Sequence, residues 1–238
     1  MTATFSDTGP HYAPRRPDRG PVGPPYTDGV EGADQRMQFQ GDALPFGPRA
    51  VLVPVKAFGE AKGRLDTALS ASERAALATA MADRVLAAAF PLPVAVVCDD
   101  NEVAAWARSR GALVVWEPGR GLNGAVEAGV ELLSQRGVEQ VTVAHADLPR
   151  ASDLFSVGDA PGVTLVPDRF GNGTNVIVIP ADAGFRFSYG PGSFARHRTE
   201  AARTGLPVRI LDRPDLAWDI DEPADVIPVS TTPASAFS

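Results

Sequence analysis

Three aspartates in two separate segments are the side chains of this sequence best suited to hold a divalent cation. Asp147 follows the apolar run 141–144, and Asp219 and Asp221 flank Ile220 in a second segment. Residues two apart in an extended chain point to the same side, so the carboxylates of that pair can converge on one point. Carboxylates and phosphate oxygens form the oxygen cage that Mg²⁺ prefers. We therefore expect Mg²⁺, as two ions that would clamp the attacking and leaving oxygens of a phosphoryl displacement.

The same aspartates also have structural interpretations. Asp147 would cap a helix if one began directly after its strand, because a capping Asp often occupies that position. Asp219 and Asp221 would form a solvated turn, with Asp221 capping a helix that has Pro223 near its start. Taken one residue at a time, the two kinds of interpretation carry similar weight. A basic loop elsewhere in the chain favours the metal site.

This basic loop follows the first predicted strand. Lys56, Lys62 and Arg64 lie at the carboxyl end of strand 51–55, where cations can neutralise charge on a transferred phosphoryl group. The loop has neither the spacing of a P-loop nor that of a Rossmann dinucleotide turn. We expect Lys56 and Lys62 to act in catalysis together with Asp147, and an ordinary surface charge is the alternative for either lysine.

Three glycine-rich segments are further candidates for ligand contacts. Segment 119–124 opens a predicted helix, so that its backbone amides and Asn123 can contact a base or ribose. Segment 171–175 is either an ordinary hairpin turn or a loop whose backbone must approach a ligand closely. Segment 189–193 leads into a helix, and Ser193 is either its N-cap or part of an anion site with the helix amides.

Four other side chains are assigned structural roles. His145 is expected to be packed or hydrogen-bonded rather than catalytic, since phosphoryl transfer to an already ionised acceptor needs no general base. His197 has arginine neighbours on a predicted helix and is expected on a solvated face. Trp218 and Cys98 lie among apolar residues and are expected in the core.

The composition limits the class of protein. The chain of 238 residues has 44% apolar and 21% charged residues and a net charge of −7, which argues against binding nucleic acid or an anionic membrane through overall charge. A single cysteine excludes a disulfide within the chain. No apolar run approaches the roughly 20 residues of a membrane span, and the first residues do not resemble a signal peptide, so we expect a cytoplasmic protein.

The order of predicted elements indicates the fold class. Residues 1–48, rich in Pro and Gly, are predicted to be a disordered tail, residues 49–230 one domain and residues 231–238 a flexible end. Within the domain, strands and helices alternate, which is typical of a three-layer α/β/α sandwich with a mostly parallel mixed sheet. Ligands of such sheets bind at the carboxyl ends of the strands near a topological switch point. The predicted strands are 51–55, 94–98, 113–116, 141–144, 163–166, 176–179, 208–211 and 216–220, and the predicted helices are 72–89, 102–110, 122–136 and 193–204.

Taken in order, the segments that could do chemistry resemble the guanylyltransferases of coenzyme F420 biosynthesis, which act on 2-phospho-L-lactate or phosphoenolpyruvate. That family belongs to a larger group of molybdenum-cofactor guanylyltransferase-like and sugar-phosphate nucleotidyltransferases. The similarity covers about residues 50–227, essentially the whole predicted domain. The matching residues are Pro54 to Lys56, Lys62 to Leu65, Gly121 to Ala125, Ala146 to Pro149, Gly171 to Asn175, Tyr189 to Phe194 and Trp218 to Asp221.

The resemblance implies a Rossmann-like fold of the nucleotide-diphospho-sugar transferase type and assigns roles to the matching positions. Mg²⁺ would be bound by Asp147, Asp219 and Asp221. The phosphorylated acid would be held by Thr174, Asn175, Gly190 and Ser193. The nucleotide would contact Val53, Pro54, Lys56, Lys62, Arg64, Asn123 and Gly124, with the last two on the guanosine side.

The reaction that the resemblance implies is transfer of GMP from GTP to phosphoenolpyruvate or 2-phospho-L-lactate, with release of pyrophosphate, as a step of coenzyme F420 biosynthesis. The Ala- and Arg-rich composition, typical of GC-rich bacteria, favours phosphoenolpyruvate. The implied partners are GTP and a small phosphorylated acid, with hand-off of a labile product to the next transferase. We expect a monomer or homodimer that binds neither nucleic acid nor membrane.

Other functions stay open. The acceptor can be another small phosphate, such as 3-phosphoglycerate or molybdopterin, but the first loop lacks the Gly-rich signature of the sugar-phosphate branch. A non-catalytic GTP-binding module is disfavoured because it would be expected to lose at least one of the three aspartates, and all are present. A nicotinamide-dependent oxidoreductase is disfavoured because no Gly-x-Gly-x-x-Gly follows the first strand.

Overall fold

A computed structural model describes residues 46–220 and Asp225. Most of the predicted N-terminal tail, the predicted flexible C-terminal end and Asp221 lie outside the described residues. Within the described part the chain forms seven strands and five α-helices. The strands are β1 (Arg49–Pro54), β2 (Val94–Cys98), β3 (Leu113–Trp116), β4 (Gln140–Ala144), β5 (Val163–Pro167), β6 (Thr174–Pro180) and β7 (Val208–Ile210). The helices are α1 (Ala71–Ala88), α2 (Asn101–Ser109), α3 (Gly121–Gln135), α4 (Ser193–Arg203) and α5 (Pro214–Ala217).

These strands form one sheet in the order β3-β2-β1-β4-β6-β5-β7. Strand β6 runs antiparallel to its neighbours β4 and β5, and the other neighbouring pairs are parallel. The strand order reverses beside β1, which lies between β2 and β4, so the topological switch point is between β1 and β4. The predicted mixed, mostly parallel sheet is confirmed.

Helices cover both faces of the sheet because the central strands are apolar on both sides. Val51 and Val53 of β1 pack in a core with α1 and α2, whereas Ala50 and Leu52 pack in a second core with α3 and α4. Successive strand residues point to opposite faces, which explains this alternation. Cys98 belongs to the first core, where burial raises the pKa of its thiol to about 11. The predicted three-layer arrangement and the predicted core thiol are confirmed.

Local signals set the ends of the helices that flank the site. Ser70 and Glu73 form a reciprocal capping box at the start of α1, and Asp100 accepts hydrogen bonds from two amides at the start of α2. After α3, Gly137 has a φ of 85°, a left-handed conformation that ends a helix at little cost for glycine. None of the described helices is long and apolar enough to cross a membrane.

The predicted strand at 216–220 is wrong. Residues Pro214–Ala217 form the short helix α5, and residues 218–220 continue without regular structure. Pro214 lies in the first turn, where its missing amide hydrogen costs little, and Leu216 is fully buried. A short apolar run fits a buried strand and a buried helical turn equally well, so periodicity alone does not separate them.

Candidate functional site

A cavity of about 600 Å³ opens at the carboxyl edge of the sheet, beside the switch point. Strands β1 and β4 both end at this edge because they are parallel, and β6 begins there because it is antiparallel to β4. The ends of β1 and β4, the start of β6 and the adjoining loops therefore form the cavity wall. The volume is typical of a site for a small molecule.

Most of the predicted site residues line this cavity. They are Pro54, Lys56, Lys62, Arg64, Asp147, Thr174, Asn175, Gly190, Ser193 and Asp219. Val53, Asn123 and Gly124 are not among its lining residues, and Asp221 lies outside the described part of the chain. The fold thus brings several segments that are far apart in sequence to one edge of the sheet.

The basic loop after β1 is held by two buried apolar side chains, Phe58 and Leu65. Between them, Lys62 adopts a left-handed φ of 59°, a conformation that costs a residue with a side chain roughly 1 kcal/mol. This backbone conformation accompanies an inward position of the Lys62 side chain, which is 9% exposed. Lys56 and Arg64 are exposed residues at the cavity. The alternative of an ordinary surface charge is therefore wrong for Lys62.

Lys62 and Asp147 form an ion pair across 85 positions of the chain. The Lys62 Nζ donates to Asp147 Oδ2 at 2.6 Å, and the Asp147 side chain is 26% exposed. Charge-assisted hydrogen bonds of this kind are short and stronger than neutral ones. The pair therefore fixes the basic loop against the end of β4. No helix begins directly after Asp147, so its interpretation as an N-cap is wrong.

The second carboxylate oxygen of Asp147 is buried without a hydrogen bond to any described residue. The Nδ1 of His145 lies 3.9 Å from this oxygen, which is beyond hydrogen-bonding distance. A buried oxygen that accepts no hydrogen bond is costly to maintain, and such an atom commonly serves a ligand or ion. Asp147 lines the cavity, and an ionised carboxylate at that position fits the oxygen ligand set of Mg²⁺.

The charge state of Asp147 supports this fit. Burial by itself raises the pKa of the Asp147 carboxyl, but the Lys62 ammonium, the nearby His145 and the hydrogen bond from Lys62 outweigh it. The pKa therefore lies below the ordinary value of 3.8, and the side chain is a carboxylate at neutral pH.

Asp219 also lines the cavity and lies in the irregular residues 218–220 after α5. Arg169 Nη1 donates to the Asp219 backbone oxygen at 2.7 Å and lies 3.3 Å from its carboxylate Oδ1. Among the described residues, no three His, Cys, Asp or Glu side chains are grouped closely enough to hold one metal ion. Because Asp221 is not described, convergence of the three predicted aspartates stays a prediction.

Sequence reasoning missed Arg169, which connects the β5–β6 turn to the segment that carries Asp219. Its amide donates to the Ala217 oxygen at 2.8 Å, and its guanidinium lies 4.4 Å from the centre of the Trp218 ring. Its Nη2 also donates to Asp225 at 2.5 Å. Trp218, which was expected in the core, is only partly buried, against a small apolar cluster. A single arginine in a turn carries no sequence signal of such a role.

Thr174 and Asn175 begin β6 and are almost fully buried at the cavity wall. The Asn175 Nδ2 donates to the Leu216 oxygen at 2.9 Å, so this amide group holds α5 against the sheet. Residues 171–173 belong to the turn of the antiparallel β5–β6 hairpin, and Asn172 and Gly173 line the cavity. The hairpin interpretation of that glycine-rich segment is confirmed, and a close approach of its backbone to a ligand stays a prediction.

Ser193 is the first residue of α4, and the N-cap is Gly192, which has a φ of 73°. The interpretation of Ser193 as the N-cap is wrong. The Ser193 amide donates to the Gly190 oxygen at 3.0 Å, and the Phe194 amide donates to the Asn172 oxygen at 3.1 Å. These two amides are already paired, so the Ser193 side chain is the better candidate to contact an anion.

The loop before α4 is held from three sides. Asn123 Oδ1 accepts a hydrogen bond from the Tyr189 amide at 2.7 Å, so Asn123 supports this loop from α3. The Tyr189 ring packs against His145 with ring centres 4.8 Å apart, which confirms the predicted packing of that histidine. Tyr189 also contacts the ring of His197 at 4.9 Å.

The prediction that His197 lies on a solvated face is wrong, because the side chain is fully buried. Its Nε2 accepts from the Ser188 amide at 2.9 Å, and its Nδ1 lies 3.0 Å from Thr174 Oγ1. The arginines at 196 and 198 suggested solvent exposure. The informative signal is instead the four-residue spacing of the inward-facing residues Ser193, His197 and Ala201.

Comparison with known proteins identifies the family. The family model for CofC-like guanylyl transferases matches residues 49–231. The phosphoenolpyruvate guanylyltransferase of Sphaerobacter thermophilus is 36% identical over 184 residues, covering 74% of this chain and 89% of the relative. The 2-phospho-L-lactate guanylyltransferase of Natrialba magadii is 36% identical over 200 residues, covering 75% of this chain and 82% of that relative. A solved structure of a nucleotidyl transferase from Methanothermobacter thermautotroptrophicus has the same fold, with a TM-score of 0.55 and 16% sequence identity. The match covers 77% of this chain and 96% of the solved one. This chain therefore belongs to the family of CofC-like guanylyl transferases.

Proposed function

We propose that this chain transfers GMP from GTP to phosphoenolpyruvate and releases pyrophosphate. Membership of the family makes the chain a nucleotidyltransferase, and several of the most similar relatives are named phosphoenolpyruvate guanylyltransferases. The observation that carries the proposal is the Lys62–Asp147 ion pair at the cavity, where the second Asp147 oxygen accepts no hydrogen bond from a described residue. 2-Phospho-L-lactate, named for other relatives, is the second candidate acceptor.

The proposed reaction is one in-line displacement at the α-phosphorus of GTP. An oxygen of the acceptor phosphate forms the new bond to that phosphorus. The bond to the bridging oxygen breaks, and its electron pair leaves with pyrophosphate. An ionised phosphate needs no general base, which agrees with the packed position of His145 against Tyr189.

In this mechanism the protein contributes positioning and charge neutralisation. Lys56, Lys62 and Arg64 lie on the loop at the end of β1, where they can contact the triphosphate and stabilise charge on the leaving pyrophosphate. The acceptor would lie against the start of β6 and the start of α4. Thr174, Gly190 and Ser193 border that side of the cavity.

The cofactor that we propose is Mg²⁺. Nucleotidyltransferases of this kind generally use a divalent metal. Asp147 and Asp219 would hold it, together with Asp221 beyond the described residues. When bound, the ion would neutralise phosphate charge and orient the phosphates.

The test is a competition assay with the purified full chain. Pyrophosphate release would be measured with GTP and Mg²⁺ in the presence of phosphoenolpyruvate, 2-phospho-L-lactate or 3-phosphoglycerate. We expect the highest kcat/KM with phosphoenolpyruvate, and lower values when ATP or CTP replaces GTP. Absence of release with all three acids would reject the proposal, and equal use of ATP or CTP would reject the nucleotide assignment.

A further inference from the structure

His197 joins two segments of the cavity wall from inside the protein. It lies on α4, is 0% exposed, and contacts both the loop before α4 and the start of β6. The Ser188 amide donates to its Nε2 at 2.9 Å, and its Nδ1 lies 3.0 Å from Thr174 Oγ1. None of the steps proposed above uses this side chain.

The first contact determines the tautomer of the ring. A backbone amide can only donate, so His197 Nε2 must be the unprotonated, accepting nitrogen. Burial, with a smaller effect of the Arg196 charge, lowers the pKa of His197 to about 4, so the ring is neutral at physiological pH. A neutral imidazole that accepts at Nε2 carries its hydrogen on Nδ1. The Nδ1–H therefore donates to the hydroxyl oxygen of Thr174.

The second contact determines what the Thr174 hydroxyl can do. Its oxygen already accepts from His197, so its own hydrogen must point elsewhere. Within the described part of the chain, the one hydrogen-bond partner of Thr174 Oγ1 is His197 Nδ1, which is a donor, so no acceptor for the hydroxyl hydrogen is found there. Thr174 lines the cavity, so this hydrogen is available to an acceptor group of a ligand there.

We infer that His197 is a positioning residue that makes the Thr174 hydroxyl a hydrogen-bond donor to the anionic group of the phosphorylated acid. This inference rests on the proposed function. The group that such a donor recognises is an ionised oxygen of a phosphate or carboxylate, which can only accept. His197 itself does not touch the acid.

The surrounding contacts indicate that the loop before α4 does not depend on His197 alone. Arg196 Nε donates to Ser188 Oγ at 2.7 Å, and its guanidinium also donates to the backbone oxygens of Ser188 and Pro191 at 2.8 and 2.6 Å. Asn123 holds the Tyr189 amide. Replacement of His197 is therefore expected to disturb the Thr174 hydroxyl more than the path of the loop.

The first test replaces His197 and Thr174 singly and together. In His197→Gln the new amide oxygen can accept from Ser188, but the donor to Thr174 is lost. Thr174→Val keeps the shape of the side chain and removes its hydroxyl. For each single variant we expect the KM for phosphoenolpyruvate to rise about tenfold while the KM for GTP changes by less than about threefold.

The double variant separates a positioning role from a general structural one. If His197 acts through Thr174, the two effects share one interaction, and the double variant is no worse than Thr174→Val alone. The inference would be overturned if the KM for phosphoenolpyruvate in the double variant rose by the product of the two single increases. It would also be overturned if the KM values for phosphoenolpyruvate and for GTP rose equally. Arg198→Gln on the exposed side of the same helix is the matched control and should resemble the unaltered protein.

The second test does not depend on activity. ¹⁵N NMR of the full chain with labelled histidine should show, at neutral pH, one ring with Nδ1 protonated and Nε2 unprotonated. The signals of this ring are assigned to His197 because they should be missing from the spectrum of His197→Asn. An Nε2-protonated or doubly protonated ring would overturn the inference. If the unaltered protein releases no pyrophosphate with any acid, the proposed function fails, whereas the tautomer is still decided by this spectrum.

Discussion

At the scale of single residues, Asp147 combines a paired oxygen with an unpaired one. Lys62 satisfies Oδ2 at 2.6 Å and keeps the side chain ionised, while Oδ1 is buried without a hydrogen bond to a described residue. A carboxylate whose only role was to anchor Lys62 would be expected to have both oxygens satisfied. The asymmetry is what favours a ligand role for this residue.

We predict that Asp147→Asn lowers turnover by about 100-fold or more, because the neutral amide can neither bind a cation strongly nor balance Lys62. The fold should survive, since Asn has the same size and still offers an oxygen to the lysine. Pyrophosphate release and thermal unfolding would measure the two effects. Asp159→Asn, at an exposed carboxylate, is the matched control. Near-normal turnover of Asp147→Asn would exclude the metal assignment.

A pH dependence of stability follows from His197. Its pKa is lowered by burial to about 4 in the folded protein, against 6.5 for the unperturbed side chain. The unfolded chain therefore takes up the proton first as pH falls. The contribution of neutral His197 to the free energy of unfolding is complete above pH 6.5 and is lost as the pH falls toward 4. It amounts to at most about 3 kcal/mol.

Urea unfolding between about pH 7.5 and pH 4.5 measures this effect. The free energy of unfolding should fall less steeply in His197→Gln than in the unaltered protein, because the glutamine does not titrate. Parallel curves for the two proteins would mean that other groups account for the whole acid dependence.

Which side chains could be predicted from the sequence depends on how their roles are encoded. Asp147 and Lys62 were predictable, because both follow strong apolar strands and therefore reach the carboxyl edge. His197 was misjudged from its charged neighbours, although spacing by four residues decides which side of a helix is buried. Arg169 could not be found, because the residues that it binds at and after α5 are 48 or more positions away and contribute backbone oxygens as well as side chains.

At the scale of elements, the site depends on how three connecting segments are fixed to the sheet. The loop after β1 is fixed by buried Phe58 and Leu65, and the loop before α4 is fixed by Asn123. Residues 218–220 after α5 have no regular structure and are held by Arg169 and by burial of Ile220.

We predict that Arg169→Gln raises the Mg²⁺ concentration for half-maximal activity by about tenfold, because loss of its contacts would misorient Asp219, a proposed metal ligand. Arg150→Gln is a matched control, since Arg150 also lies over the Trp218 ring, at 4.1 Å. Magnesium titrations of pyrophosphate release would compare the two. The same shift in both variants would assign the effect to Trp218 packing rather than to the contacts with Asp219.

The central strands were predictable at this scale because they are apolar on both faces and bounded by helix signals. Strands β2 and β3 have the predicted bounds, and β1 and β4 differ by one or two residues. The segment 216–220 was not predictable as a helix followed by irregular chain. Its structure is decided by long-range contacts, namely burial of Leu216 and the hydrogen bond from Asn175 to its oxygen.

At the scale of the whole molecule, one antiparallel strand gives the cavity its second wall. The start of β6 lies beside the end of β4, so Thr174 and Asp147 reach the same edge although their strands run in opposite directions. With a parallel β6, Thr174 would lie at the far edge of the sheet. The sequence predicted a mixed sheet but not which strand was reversed, because strand direction depends on pairing rather than on local pattern.

The described fold also predicts how much of the chain the activity requires. Both cores and the cavity are built from residues 46–220, and the family match begins at residue 49. Removal of residues 1–45 should therefore change the turnover, measured as pyrophosphate release, by less than about twofold.

At the other end of the chain, two C-terminal truncations form a matched pair. A chain ending at residue 230 retains Asp221 and Asp225 and should stay active, whereas a chain ending at residue 220 loses both aspartates, including a partner of Arg169. The shorter chain should lose turnover by about 100-fold or more while circular dichroism still reports a folded sheet. Full activity of that shorter chain would mean that neither Asp221 nor the Asp225 contact takes part in the site, and Mg²⁺ binding would then have to be assigned to Asp147 and Asp219 without them.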